Sequence, residues 1–151
     1  MAERHSAGRL AEGRHILPLR IYYEDTDATG IVYHGAYLRF MERGRTEMLR
    51  ALGFSQGRLI TGGANHLAFA VRRCEIDFVA PARLDDRIEV DSRLDTLGGA
   101  SMVIRQAVSC AGKLLARGLF RIACLDQALK PRRLPVDFKQ QFATLLPPKT
   151  S

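Results

Sequence analysis

At 151 residues and 46% hydrophobic, the chain is long enough to bury one core without disulfides or a structural metal. No apolar run approaches the roughly 18 residues of a membrane span, and the first residues lack the apolar segment of a secretory signal. The net charge of +7 permits a polyanionic ligand, but the cations are scattered among acids, without a long basic tract or an RNP-type aromatic motif. Nucleic acid is therefore excluded as the expected partner, and a phosphate-bearing small molecule uses the same charge more economically.

The polar, Gly/Ala-rich start predicts a loose arm over residues 1–15, followed by a single domain over 16–146 and a short tail over 147–151. Leu17 to Ile21 reads as an apolar strand. From about Ala36, apolar residues recur at helical spacing (Tyr37, Phe40, Met41, Gly44, Met48, Ala51, Leu52), with Glu47 among the charges expected on the outer surface and Gly53 as the cap. Gly44 on the apolar stripe implies close approach of a neighbouring element. Phe54 to Gly63 predicts a short helical turn and a loop.

The period then changes to two. Phe69 and Val71 lie on one alternation phase and Ile76 and Phe78 on the other, which predicts a long strand with a bulge near Arg72-Arg73. Ile88 to Leu94 and Met102 to Cys110 alternate as half-buried strands joined by a hairpin at Gly98-Gly99. A second hairpin at Ala111-Gly112-Lys113 leads to a last strand, Leu114 to Leu125, and Val136 to Leu145 reads as a terminal helix. One long amphipathic helix and about five strands give an α+β fold, an antiparallel sheet curled around the helix. The strands' mixed outer faces predict self-association by sheet extension or sheet packing.

Cys74, Cys110 and Cys124 are far apart and lack metal-ligand spacing; an odd count without a secretory signal fits a reducing cytoplasm. No GxSxG, Walker A or Rossmann glycine pattern occurs.

The densest chemistry lies at the strand-to-helix junction, Tyr22 to Tyr37, YYEDTDATGIVYHGAY. It carries Glu24, Asp25, Asp27, His34 and all four tyrosines of the chain. By residue type alone, Asp25 and Asp27 read first as turn and cap residues. A carboxylate beside a helix N-terminus also places a base next to free backbone N–H donors, the equipment of a small hydrolase.

The segment YYEDTDATGIVYHGAYLRFMERGRTEML, together with FAVRRCEIDFVAPARLDDRIEV and LDQALKPRRLP, resembles the hot-dog-fold acyl-CoA thioesterases of the 4-hydroxybenzoyl-CoA thioesterase-like group. The closest branch is the one associated with the bacterial Tol-Pal envelope cluster. The resemblance implies a hot-dog fold and a homodimer, further paired into a homotetramer as a dimer of dimers, with active sites at the dimer interface. It implies hydrolysis of acyl-CoA without metal or organic cofactor in the cytoplasm. Acyl-carrier-protein thioesterase and non-catalytic acyl-CoA binding are the alternatives. The family's acid falls on Asp27, its branch-specific histidine on His34, its strand tyrosine on Tyr23 and its loop glycine on Gly30. Asp25 is left as a turn residue. Where relatives commonly carry Ala-Gly-Gly, this chain has Ala28-Thr29-Gly30, and Thr29 adds a side chain that stiffens the loop.

Asp27 is then expected to act as general base or as nucleophile on the thioester. Backbone N–H groups of Tyr33, His34, Gly35 and Gly30 are the expected oxyanion donors. Arg72, Arg73, Arg105, Lys113, Arg117, Arg121, the Lys130–Arg133 cluster and Ser101 are candidates for holding coenzyme A, with Arg72, Arg73 and Ser101 put forward.

Overall fold

A computed structural model describes residues 7–60 and 66–147. Six antiparallel strands form one sheet: β1 (Arg9–Ala11), β2 (Arg14–Arg20), β3 (Ala68–Phe78), β4 (Arg87–Leu97), β5 (Ser101–Cys110) and β6 (Lys113–Leu125), in the order β1-β2-β4-β5-β6-β3. The long helix α1 (Ala36–Ala51) lies against the sheet, followed by α2 (Gln56–Ile60), with α3 (Val136–Ala143) near the C-terminal end. This is the expected α+β arrangement of a sheet wrapped around one helix.

Where the alternation phase of β3 changes, its pairing with β6 slips between Val71 and Arg73. The bulge turns the strand over, so that Cys74, Ile76 and Phe78 share the helix side of the sheet with their β6 partners Phe120, Gly118 and Ala116. The predicted alternation holds in β4, where Ile88, Val90, Ser92 and Leu94 point inward and are fully buried. Phe40, Met41 and Met48 of α1 are also fully buried, and the rings of Phe138 and Phe142 stack at 4.4 Å beside Phe54.

Gly44 lies where α1 meets the sheet. A Cβ there would fall 2.7 Å from Val90 Cγ1 and 2.9 Å from both Gln106 Nε2 and Ser92 Oγ. The contact is held by a buried polar cluster. Gln106 donates to Met41 C=O (2.7 Å) and to Ser92 Oγ (2.8 Å) and accepts from Arg45 Nη1 (3.0 Å).

Three expectations change. Residues 9–15 are not a loose arm: Arg9–Ala11 pairs with Arg14–Ile16 as a sixth strand. Glu47 is buried, not on the outer surface, because α1 packs against the N-terminal strands on that side; its Oε1 accepts from Arg50 at 2.6 Å. Ala51 is exposed and Leu49 buried instead, so the apolar stripe shifts at the helix end.

His15 is fully enclosed under the N-terminal hairpin, with Nε2 3.0 Å from Ala7 C=O and no partner for Nδ1 among the described residues. Burial pushes its pKa below the ordinary histidine range.

Candidate active site

The junction is organised by Asp25. A short 3₁₀ turn, Tyr23–Asp25, follows β2, and Asp25 Oδ2 accepts the Tyr22 N–H at 2.8 Å. Asp25 is buried, its Oδ1 lies 3.6 Å from Arg39 Nη2, and its C=O accepts the Tyr33 N–H at 2.8 Å. Asp25 therefore ties the loop to α1, with both carboxylate oxygens engaged.

Asp27 begins a tight turn in which Gly30 N–H donates to Asp27 C=O at 3.0 Å. Gly30 closes it at φ +81°, a conformation that costs an L side chain energy. The turn leaves the Asp27 carboxylate exposed to solvent. Its Oδ1 accepts from the Thr29 N–H (2.8 Å) and the Thr29 hydroxyl (2.5 Å). These two bonds, the hydroxyl's first, hold the Asp27 pKa below the usual aspartate value, with a smaller contribution from the charge of His34. Thr29 therefore does more than stiffen the loop: its side chain donates to the candidate acid.

Replacing Thr29 by Val removes the larger of the two donors. With Asp27 as the base, the acidic limb of the rate profile is expected to move to higher pH, because the carboxylate gains protons more readily. A pH series of kcat/KM for wild type and Thr29→Val checks this, and an unmoved limb would show that another group sets it.

His34 is exposed, its ring tilted against that of Tyr33 at 4.4 Å and edge-on to Phe78, at the end of β3, at 6.1 Å. Phe78 also meets the Tyr37 ring at 5.6 Å. Of the four expected backbone donors, two are already used. Tyr33 N–H is spent on Asp25 and Gly30 N–H on Asp27, because both belong to the hydrogen bonds that shape the loop. The N–H groups of His34 and Gly35 have no partner among the described residues and open the N-terminus of a 16-residue helix. Two adjacent free donors at the positive end of a helix form an anion cradle.

Tyr23 is not brought to the acid within one chain. Its side chain is 83% exposed on the 3₁₀ turn, and among the described residues it makes no hydrogen bond or ring contact with Asp27 or His34.

Arg72, Arg73 and Ser101 do converge. They line a groove of about 370 Å³ together with Arg121, Met102, Val103 and Ile122. Arg73 pairs with Glu75 at 2.8 Å, while no carboxylate among the described residues pairs with Arg72 or Arg121. Of the other basic candidates, Arg121 joins this groove through its register in β6, opposite Arg73 and Val103. Arg73 and Phe78 are five residues apart, an odd number, so the arginines lie on the outer face, about 16 Å along the strand from the His34 end.

The thioesterase superfamily profile matches residues 29–116, which include His34 and all of α1 and begin just after Asp27. The chain is 43% identical over 127 residues to an acyl-CoA thioester hydrolase, YbgC, of Escherichia coli O6:H1, covering 83% of this chain and 92% of that one. It is 40% identical over 126 residues to the acyl-CoA thioesterase YbgC of Haemophilus influenzae, covering 83% and 91%. A solved probable thioesterase from Bartonella henselae superposes with a TM-score of 0.78 at 39% identity, covering 81% of this chain and 99% of its own. With the helix-wrapping sheet and the exposed acid beside an open helix start, these likenesses place the chain in the thioesterase superfamily, with the hot-dog fold, as a thioester hydrolase.

Proposed function

We propose that the protein hydrolyses an acyl-CoA thioester to a free carboxylic acid and coenzyme A, with Asp27 as general base or attacking carboxylate. The observation that carries the reading is an exposed, ionised Asp27 close to His34, at a helix start whose His34 and Gly35 N–H groups are open. In the general-base form, water attacks the thioester carbon and gives its proton to Asp27. The carbonyl oxygen gathers negative charge against the two N–H groups, and the C–S bond breaks as the carbonyl re-forms. The thiolate leaves with little need of a proton and takes one from His34 or solvent. In the nucleophilic form, Asp27 forms a mixed anhydride that water then opens. Neither route calls on a metal or organic cofactor.

The names of the similar YbgC proteins support an acyl-CoA substrate. The Arg72, Arg73, Arg121 and Ser101 groove suits the phosphates of coenzyme A. The free edge of β3, with Val71, Phe78 and the adjoining Val79 each about half exposed, supports a homodimer, paired further into a homotetramer. In such a dimer the exposed Tyr23 faces the partner's half of the site. No helix among the described residues is long and apolar enough to cross a membrane, and a cytoplasmic enzyme suits an acyl-CoA substrate.

A thiol-release screen across butanoyl-, decanoyl-, hexadecanoyl- and benzoyl-CoA tests the reading. Turnover of at least one is expected; binding without thiol release from any would sink it.

A further inference from the structure

Past Leu125 the backbone turns through residues 126–130 and then lies across one end of the sheet. Arg132 N–H donates to Cys124 C=O and Leu134 N–H to Gly99 C=O, both at 2.8 Å, before α3 begins. The turn is closely held. Asp126 N–H donates to Lys130 C=O (2.8 Å) and Leu129 N–H to Asp126 C=O (3.0 Å). Asp126 Oδ1 accepts from the Ala128 N–H (2.8 Å) and the Lys130 N–H (3.0 Å).

The residue at the tip is not the one this backbone favours. Leu129 stands at φ +62°, a left-handed position that glycine fills without strain. Its side chain gives the core nothing in return, being 73% exposed. Val136, the first residue of α3, is equally exposed. Cations lie between and beside them. Residues 126–143 carry Lys130, Arg132, Arg133 and Lys139 against Asp126 and Asp137. Arg132 is turned onto His66 C=O, and the Asp126 carboxylate is spent on the turn. Lys130, Arg133 and Lys139 are exposed, and no carboxylate among the described residues pairs with Arg133 or Lys139. These two line a groove of about 400 Å³ together with Gly99, Leu134, Val136 and Ala143, and no carboxylate lines it. None of Lys130, Arg132 and Arg133 lines the groove of Arg72, Arg73 and Arg121, so the cluster is not used there.

We propose that this end of the molecule docks on an anionic phospholipid surface. Leu129 and Val136 enter the boundary between headgroups and acyl chains, and Lys130, Arg133 and Lys139 meet the phosphates. Exposed aliphatic side chains flanked by cations bind such a surface through apolar burial and electrostatic attraction together, and a neutral bilayer offers only the first. The net charge of +7 adds attraction of the same sign at longer range. Two aliphatic tips separated along the chain by cations suit a fluid surface, which moulds to each, better than a partner helix, which presents one continuous stripe. The strained leucine has a reason in the same contact: glycine would keep the turn and lose the anchor. The proposal stands apart from the acyl-CoA reading and does not depend on turnover.

The test is co-sedimentation of the full chain with vesicles of phosphatidylcholine alone or with roughly 30% phosphatidylglycerol, at roughly 50 and 500 mM salt. Binding is expected only to the anionic vesicles, and at least tenfold weaker at the higher salt. Leu129→Gly should weaken it at least fivefold while melting no lower than wild type, so loss of fold cannot stand in for loss of the anchor. Lys130→Glu combined with Arg133→Glu should weaken it at least tenfold. Lys113→Glu, on the hairpin at the opposite end of the sheet, should stay within about twice its charge-matched share, since it lies off the docking face. No binding to anionic vesicles at low salt, wild-type binding by Leu129→Gly, or a loss in Lys113→Glu as large as in the double variant would each overturn the proposal. Retention on polyglutamate with none on anionic vesicles would also overturn it, and would assign the surface to an acidic protein instead.

Discussion

Asp27→Asn is expected to lower kcat by roughly 10²- to 10⁴-fold while the fold persists. Asn keeps a carbonyl oxygen at the Oδ1 position, so the two donations from Thr29 survive and the turn that ends at Gly30 keeps its shape. What disappears is the capacity to take a proton from water or to attack the thioester. The residual rate would come from the open His34 and Gly35 N–H groups, which still polarise a bound carbonyl. The side chain is exposed, so no core packing is lost. Thiol release and a melting curve on the same preparation separate the two effects. A folded Asp27→Asn protein turning over within about threefold of wild type would remove Asp27 from the mechanism, since even the weakest acid–base contribution is larger than that.

Gly44→Val should be among the most damaging single substitutions away from the site. The new Cβ would lie below 3.0 Å from Val90, Gln106 and Ser92, all essentially without solvent exposure. Val90 is packed on every side, and the Gln106 amide is fixed by bonds to Met41 C=O, Ser92 and Arg45. Relief requires α1 to lift from the sheet or the polar cluster to break. Overpacking of this kind costs about 1–3 kcal/mol, and the small gain in helix propensity from Gly to Val offsets little of it. For a chain of this size the melting temperature should fall by roughly 2–12 °C. A melting point within a degree of wild type would show that the helix–sheet contact can absorb the added side chain.

Much of this architecture is written locally. The α1 stripe through Tyr37, Phe40, Met41, Gly44 and Met48, the bulge beside Arg72 and the hairpins at Gly98-Gly99 and Ala111-Gly112 each follow from spacing over a few residues. Helix and strand periods are properties of the backbone, so side-chain order reveals them before any long-range contact forms. The resemblance placed the chemistry at the junction, and Asp25 reads as a turn residue in both sequence and structure.

The site's donor set could not be read that way. Tyr33 and His34 are neighbours at the start of the same helix, yet one N–H is consumed and the next is open, because Asp25 C=O lies opposite only one of them. The same holds for the N-terminal strand, whose pairing depends on β2, and for Glu47, whose burial depends on what packs over α1.

By itself, then, the sequence determined the long helix, five of the six strands, their turns and the segment that carries the candidate acid, because each rests on local periodicity or a contiguous motif. Only the tertiary structure decided which N–H groups remain free, that Arg121 lies beside Arg72 and Arg73, and that Arg9–Ala11 pairs with β2. Those outcomes depend on register between distant strands and on competition for single hydrogen-bond partners, which no local pattern encodes.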